Sequence, residues 1–440
     1  MIIRQPIRAE GSDMTALRVA LAGLGTVGGG VIRVLDANRE LIARRAGRPI
    51  EIVAVSARDR SKDRGVDLSR FAWEDDTQAL ARSEADVVIE LVGGADGPAL
   101  ALARATLAAG KGLVTANKAM LAHHGLELAD AAERAGAALK FEAAVAGGIP
   151  VIKGLREGAA ANEIARVYGI LNGTCNFILS KMEAEGRDFA EVLAEAQTLG
   201  YAEADPSFDI DGVDAAHKLS ILASLAFGTR PAFGAVAISG IREVLAADVA
   251  EARAMGYRIR LLGVAEAGTD GLFQRVHAHL VPENHPLAHV TGATNAVVAE
   301  GNFVGRLLFQ GAGAGEGPTA SAVVADLIDI ARGEFGPPYA MPSHALAAME
   351  EADGGKRRGR AYLRFTVADR VGVLAEIAAA MRDAGVSIEG LIQRGANPDG
   401  SVLVAIVTHE VAESSVAAAL ERLRGSQSLI GQPMWMHILG

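Results

Sequence analysis

The chain has 440 residues, half of them hydrophobic and 22% charged, with a formal net charge of −10 at pH 7; roughly two to four domains with buried cores fit that length. The acidic balance argues against nucleic acid as the main partner, because phosphate contacts need a basic surface. The lone Cys175 excludes an intrachain disulfide framework and fits a reducing compartment, and no apolar run reaches the ~20 residues of a membrane helix, so a cytoplasmic protein without a membrane partner is expected.

Residues 1–15 lack the pattern of a secretory signal and read as a loose N-terminal extension. Leu17–Ala22 is a short apolar strand running into Gly23-Leu24-Gly25-Thr26-Val27-Gly28, and a helix follows through Val31, Leu35 and Leu41. Further strands are expected at Ile50–Ser56, Asp86–Val92, Gly112–Thr115 and Ala138–Glu142, with helices near 99–109 and 119–135 between the later ones. Asn117-Lys118 follows the end of the fourth strand. The alternation predicts an α/β domain over 16–145, a Rossmann-type doubly wound parallel sheet.

A bare GxGxxG is weak evidence, but here it leaves a strand and opens a helix. Gly23 permits the tight turn, Gly25 lets backbone approach a pyrophosphate, and Gly28 lets helix and strand pack closely, while the helix start offers unpaired N–H groups. Gly23, Gly25, Thr26, Val27 and Gly28 are therefore the expected cofactor contacts. A glycine turn without a ligand is the competing reading. The second strand has no acidic residue at its end for a ribose 2′-hydroxyl. It offers Arg58, Arg60 and Lys62 instead, which favours NADP(H) over NAD(H) unless these cations are an ordinary solvated turn.

Beyond 145 the pattern changes to an α+β domain over 146–315. Helical segments at 148–158, 174–186, 188–199 and 213–226 mix with strands at 164–171, 259–266 and 274–280. Within it, Gly200–Ile221 crowds Glu203, Asp205, Asp209, Asp211 and Asp214 ahead of Lys218. Asp214 and Lys218, four apart on a helix, share a face. A lysine among carboxylates suggests a small cavity: acids to grip an ammonium group, and a lysine to handle a proton. A solvated acidic loop before an amphipathic helix is the alternative. A calcium loop of EF-hand type is excluded, since Ser220 stands where one starting at Asp209 needs Glu. His217 reads as packing.

Gly311–Gly315 is a glycine turn, and the helix over Pro318–Ile330 is expected to return to the nucleotide domain, completing it near 316–332. Residues 332–358, rich in Gly, Pro and charge, read as a linker. Over 359–440 the order βαββαβ predicts a ferredoxin-like module.

GLGTVG (23–28), TANK (115–118), EAAVAGGIP (142–150), GILNGTCNFIL (169–179), GYAEADPSFDIDGVDAAHKL (200–219) and GAGAGEGPTASAVVADL (311–327) stand in this order. With them in view, the chain from about residue 17 resembles homoserine dehydrogenase, and VADRVGVLAEIAAAMRDAGVSI (367–388) resembles an ACT domain, a small amino-acid sensor. The resemblance implies reversible reduction of L-aspartate 4-semialdehyde to L-homoserine with NAD(P)H, in threonine, methionine and isoleucine biosynthesis. It implies Lys218 as catalytic lysine with Asp214 as its partner, and Lys118 beside cofactor and substrate as a competing proton donor. It also implies Glu203 on the substrate amino group, Asp209 as a further substrate-site carboxylate, and Gly315 against the cofactor. A sodium or potassium ion is implied at Glu142, Val145, Gly147 and Ile149, and threonine as effector at the turn Asp369–Leu374. A homodimer or homotetramer is expected. Two readings compete: another Rossmann oxidoreductase acting on a hydroxy acid, and a nucleotide-binding sensor without turnover.

Overall fold

Short, largely aliphatic strands build the parallel sheet that the β/α alternation predicts, with one more, Ala72–Trp73, that was not foreseen. The computed structural model describes residues 15–394 and 400–440, so the expected N-terminal extension lies outside the described residues except for Thr15. Two units emerge, residues 15–120, 124–144 and 315–344 in the first, and 121–123, 145–314 and 345–440 in the second.

In the first unit, β1 (Leu17–Ala22), β2 (Ile50–Ser56), β3 (Ala72–Trp73), β4 (Val87–Glu90), β5 (Gly112–Thr115) and β6 (Leu139–Lys140) pair in the order β3-β2-β1-β4-β5-β6, all parallel. The strand order reverses between β1 and β4, where such sheets leave a crevice beyond the strand ends. β1 is buried except at Arg18, because both faces are covered by helices. Helix Thr26–Ala37 buries Gly28, Gly29 and Gly30. A Cβ on Gly30 would stand 2.7 Å from the Glu316 side chain and 3.2 Å from that of Ala320. Helix Glu316–Arg332 therefore packs against helix Thr26–Ala37, with Ala320, Val323 and Leu327 joining the core of β1.

The second unit holds β7 (Ile164–Ile170), β8 (Ala237–Ile238), β9 (Tyr257–Gly268), β10 (Gly271–Pro282), β11 (Thr294–Gly301) and β12 (Gly305–Ala312). It continues with β13 (Arg358–Gly359), β14 (Ala361–Ala368), β15 (Ile388–Arg394), β16 (Ser401–Thr408), β17 (Val411–Ala412) and β18 (Met434–Ile438). One sheet runs β12-β11-β7-β9-β10-β18-β14-β16-β15, with β8 alongside β10 and a separate pair β13-β17. The order β18-β14-β16-β15, with helices Val373–Asp383 and Glu413–Arg422, is the expected ferredoxin-like module. Its last strand pairs in parallel with β10 (His279 with His437, Leu280 with Ile438) and antiparallel with β14, so the module shares a sheet with the rest of the unit.

Three local differences have physical causes. The helix expected over 148–158 is only a turn of α-helix, Val151–Lys153, followed by a π turn, Gly154–Gly158; a Cβ on Gly154 would meet the Phe309 ring at 2.5 Å. The β11-β12 hairpin was not foreseen, because its Gly- and Ala-containing strands have weak local preference and depend on pairing. Residues 347–352 are not a free tether. The Ala347 N–H donates to Gly228 O at 2.9 Å and Leu272 N–H to Glu350 O at 2.8 Å.

Candidate functional site

The nucleotide end follows from backbone geometry. Gly23 has φ +94°, and a Cβ there would meet Leu91 O at 2.5 Å; a Cβ on Gly28 would meet Gly23 O at 2.1 Å. Gly25 by contrast has nothing within 4 Å of its missing Cβ, so its backbone faces open space at the helix start. A cleft of about 380 Å³ opens here, lined by Gly23, Gly25, Ser56, Arg58, Asp59, Lys62 and Arg64 among others. Arg58 and Lys62 are among its lining residues. Arg60 is not among its lining residues; its guanidinium, like that of Arg64, lies over the Trp73 ring, 5.6 and 5.9 Å from the centroid. Arg64, unforeseen, takes the structural role, donating to Leu24 O at 3.0 Å, to Lys62 O at 2.6 Å and to Asp59 O. The Asp59 carboxylate is occupied by Ser61, whose N–H and hydroxyl donate at 2.8 and 2.7 Å and hold its pKa below the usual range.

At the ends of β4 and β5, buried Glu90 accepts from Thr115 Oγ1 at 2.5 Å and from the Val92 and Gly93 N–H groups. Asn117 caps helix Lys118–Ala135, accepting from Met120 N–H at 3.1 Å and donating to Gly94 O at 2.7 Å. That network holds Lys118 as the first residue of the helix. Thr26 and Val27 begin helix Thr26–Ala37, and Gly315 (φ +118°) precedes helix Glu316–Arg332.

In the second unit the acidic run splits into buried and exposed parts. Helix Val213–Phe227 carries Asp214 in its first turn and Lys218 one turn on. Lys218 Nζ donates to Asp214 Oδ2 at 2.7 Å and to Leu171 O at 2.8 Å, and both side chains are nearly buried. Asn172 Nδ2 bridges Asp214 Oδ2 (2.8 Å) and Asp209 Oδ1 (2.9 Å), and Thr174 Oγ1 lies 2.9 Å from Asp209 Oδ2. Lys218, Asp214 and Asp209 thus form one hydrogen-bonded group. Glu203 is exposed, and among the described residues its carboxylate makes no hydrogen bond or ion pair. An ammonium has three donors, and among the described residues Lys218 commits two of them.

Sequence reasoning missed Asn172, Thr174 and Asn295. The first two stand in the quoted GILNGTCNFIL run, where Asn172 also caps the next helix at Cys175 N–H (2.8 Å). Asn295 carried no local signal. Its Nδ2 donates to Leu171 O at 3.1 Å, the carbonyl that Lys218 also uses, while its Oδ1 is buried without a hydrogen bond. Cys175 is buried and donates to Asp209 O at 3.2 Å; burial pushes its thiol well above the ordinary range, so it is inert. His217 packs on Phe233, with ring centroids 4.3 Å apart, in keeping with a packing role.

The proposed ion loop falls in both units. In the second, Ala146 (φ 57°) and Gly147 (φ 54°) turn tightly, and a Cβ on Gly147 would meet Gly313 O at 2.6 Å. Val145 and Ile149 in the same loop are buried. In the first, buried Glu142 donates its N–H to Asp326 at 2.8 Å.

The fold and these groups define a class, the oxidoreductases that take a nucleotide at the switch point of a doubly wound sheet. Residues 150–328 match the homoserine dehydrogenase family, 23–142 the homoserine dehydrogenase NAD-binding domain, and 361–425 the ACT domain. The homoserine dehydrogenase of Pseudomonas aeruginosa is 45% identical over 427 residues, 94% of this chain and 97% of that protein, and the chain belongs to the homoserine dehydrogenase family. The structure of a homoserine dehydrogenase from Thiobacillus denitrificans aligns with a TM-score of 0.91 at 42% identity, covering 97% of this chain and 98% of that one. A hyperthermophilic archaeal homoserine dehydrogenase, solved in complex with NADPH, aligns with a TM-score of 0.64 at 26% identity over 74% of this chain and all of that one (100%). The chain is thus an oxidoreductase acting on a CH–OH group of a small molecule with a nicotinamide nucleotide. Among the described residues no helix is long and apolar enough to cross a membrane.

Proposed function

We propose that the chain reversibly reduces L-aspartate 4-semialdehyde to L-homoserine with NADP(H) in preference to NAD(H), in cytoplasmic threonine, methionine and isoleucine biosynthesis. The observation that carries this reading is the buried Lys218–Asp214 pair anchored on Leu171 O, a proton donor held ready at a carboxylate-rich site. When bound, the nicotinamide supplies or accepts the hydride. The chain's own groups do the rest. The exposed Glu203 carboxylate pairs with the substrate ammonium, and Asp209, steadied by Asn172 and Thr174, lines the substrate site. Lys218 Nζ gives its remaining proton to the carbonyl oxygen as it becomes an alkoxide, and takes it back in the oxidation direction. Asp214 orients that ammonium and balances its charge. Lys118, fixed at its helix start, lies beside cofactor and substrate in this reading and competes for the role of donor.

Arg58 and Lys62 in the cleft, with Asp59 engaged by Ser61, favour a 2′-phosphate over a free ribose hydroxyl, as does the NADPH bound by the archaeal relative. Gly25 has the room a pyrophosphate needs. A sodium or potassium ion, held by Glu142 and the carbonyls of Val145, Gly147 and Ile149, suits the tight turn at Ala146. No group of three His, Cys, Asp or Glu among the described residues suits a transition metal. Threonine is the proposed effector, its carboxylate received at the turn Asp369–Leu374. There Gly372 (φ +98°) precedes helix Val373–Asp383, and a cavity of about 300 Å³ opens. The working form is a homodimer or homotetramer.

The test follows NADPH and NADH absorbance with aspartate semialdehyde, with and without threonine. Oxidation of NADPH faster than NADH is expected, with slowing by threonine. Oxidation of neither overturns the reaction; equal or faster NADH oxidation overturns the cofactor preference; insensitivity to threonine overturns the regulation alone.

A further inference from the structure

Between β8 and helix Ala246–Ala254 the segment 239–245 is wedged against the Ile210–Asp211 backbone on one side and held by the ACT module on the other. At its first end, Ser239 N–H donates to Val276 O on β10 at 2.8 Å, and Ile241 N–H donates to Ile210 O at 2.9 Å. A Cβ on Gly240 would stand 1.9 Å from Ile210 O and 2.5 Å from Asp211 Cα, so the two backbones touch at that point. Arg242 grips the same turn through the Asp211 carboxylate (3.0 Å for one of its two bonds) and Ser207 Oγ at 2.8 Å. That turn, helix Ser207–Ile210, is the one that carries Asp209.

At the other end Arg364, on the central ACT strand β14, reaches out of its module. Its Nη2 donates to Glu243 O at 3.1 Å and its Nε to Asp248 Oδ1 at 2.8 Å. Tyr362, two residues earlier on β14, donates its hydroxyl to the same oxygen at 2.8 Å, while Asp248 Oδ2 accepts from Leu245 N–H at 2.9 Å. Asp248 is fully buried and Arg364 nearly so. A buried, multiply bonded ion pair has one geometry and tolerates little displacement. The strand that carries Arg364 ends about 13 Å further on, at four residues of ~3.3 Å each, where it leads into the glycine turn of the proposed effector site.

We propose that Arg364 is a positioning residue for Asp209: through Glu243 and Asp248 it holds the segment 239–245 against Ile210 and Asp211, and so sets where the Asp209 carboxylate stands. This rests on the reading of Asp209 as a substrate-site group. It also gives the ACT module a physical connection to that group that needs no contact with the substrate.

The test is steady-state kinetics on the full chain with aspartate semialdehyde and NADPH. Arg364→Gln is expected to raise KM for the semialdehyde about threefold or more with kcat within about twofold, and Arg364→Lys to recover part of the loss. Since Arg364→Gln leaves Asp248 buried without its cation, Arg242→Ala provides a second cut at the exposed end of the same segment, and the same KM rise is expected. In an Asp209→Asn background, Arg364→Gln should add no further rise. KM unchanged in both single variants, a fall in kcat alone, or additive effects with Asp209→Asn would each overturn the proposal. Asp209→Asn by itself tests the underlying reading: if it leaves KM unaltered, Asp209 is no substrate group.

Discussion

Lys218 commits two of its three N–H donors to the protein, one to a carboxylate and one to the Leu171 carbonyl. This fixes the direction of the third. Asp214 is itself bonded to Asn172, so neither partner of the pair can swing without breaking a second contact. Lys218→Arg should therefore keep the fold, retaining a cation for Asp214, yet lower kcat by about 10²–10⁴ because a guanidinium does not release a proton. Rates near wild type for this variant in stopped-flow reduction would reassign the donor, with Lys118 next in line. Glu203 differs in kind. It is exposed and, among the described residues, its carboxylate makes no bond, so Glu203→Gln should leave the melting temperature unchanged and raise KM for aspartate semialdehyde about tenfold, with little change in kcat. A fall in kcat at constant KM would count against the proposed ammonium-binding role.

Elements are set by close backbone approaches more than by side-chain preference. Gly23 and Gly28 meet neighbouring carbonyls at distances no Cβ tolerates, whereas Gly25 faces open space. The two kinds of glycine should separate experimentally. Gly28→Ala is expected to destabilise the first unit in thermal melts. Gly25→Ala should melt as wild type and weaken NADPH binding about tenfold or more by fluorescence titration, since its methyl occupies the phosphate side. Equal NADPH affinity in Gly25→Ala would count against the glycine turn as the cofactor contact. Most elements of the first unit were legible in the sequence because their strands sit in apolar runs and the glycine spacing is local; the two-residue strand β3 was not foreseen, being too short to carry a pattern of its own. The β11-β12 hairpin was not, since its alternation is blurred by Gly, Ala and an exposed edge. The same holds for Arg60 and Arg64. Both are cations on one loop and both lie near the Trp73 ring, so it is the Leu24, Lys62 and Asp59 carbonyls, to which Arg64 donates, that draw its guanidinium into the cleft wall.

At the scale of the whole molecule, the join between β10 and β18 puts the strands of the ACT module and those of β7 to β12 in one continuous sheet. The seam buries His279 and partly buries His277 and His437, with their rings 5.2–6.2 Å apart. Around them lie Arg275 and Glu413, which form a bidentate pair at 2.9 and 2.5 Å, and Arg166. Burial, then the positive charge of Arg275 and the neighbouring rings, hold His437 far below the usual histidine range; burial also lowers His277 and His279. His437 is therefore neutral, accepting from Arg275 Nη1 at 2.8 Å, and Glu413 belongs to Arg275. In the unfolded chain these histidines titrate near 6.5. Folded pKa values below that mean unfolding takes up protons, so their stabilisation is complete above about pH 6.5 and is lost as pH falls through it, by up to about 1.4 kcal/mol per pH unit for each ring. The second unit should melt at a lower temperature at pH 5.0 than at pH 7.5. His279→Gln should flatten that dependence, and an unchanged slope would place the acid sensitivity elsewhere.

The sequence by itself determined whatever depends on near neighbours: the apolar runs of the parallel sheet, the glycine turn at its first helix, the βαββαβ order of the C-terminal module, and the four-residue spacing that puts Asp214 and Lys218 on one helix face. Tertiary structure alone decided what those groups touch. Leu171 O, shared by Lys218 and Asn295, lies 47 and 124 residues from them along the chain, and Arg364 meets Asp248 across 116. Helix and strand periodicity is written in residues a few positions apart, whereas a hydrogen bond between distant residues exists only once packing has brought its partners together and excluded water from both.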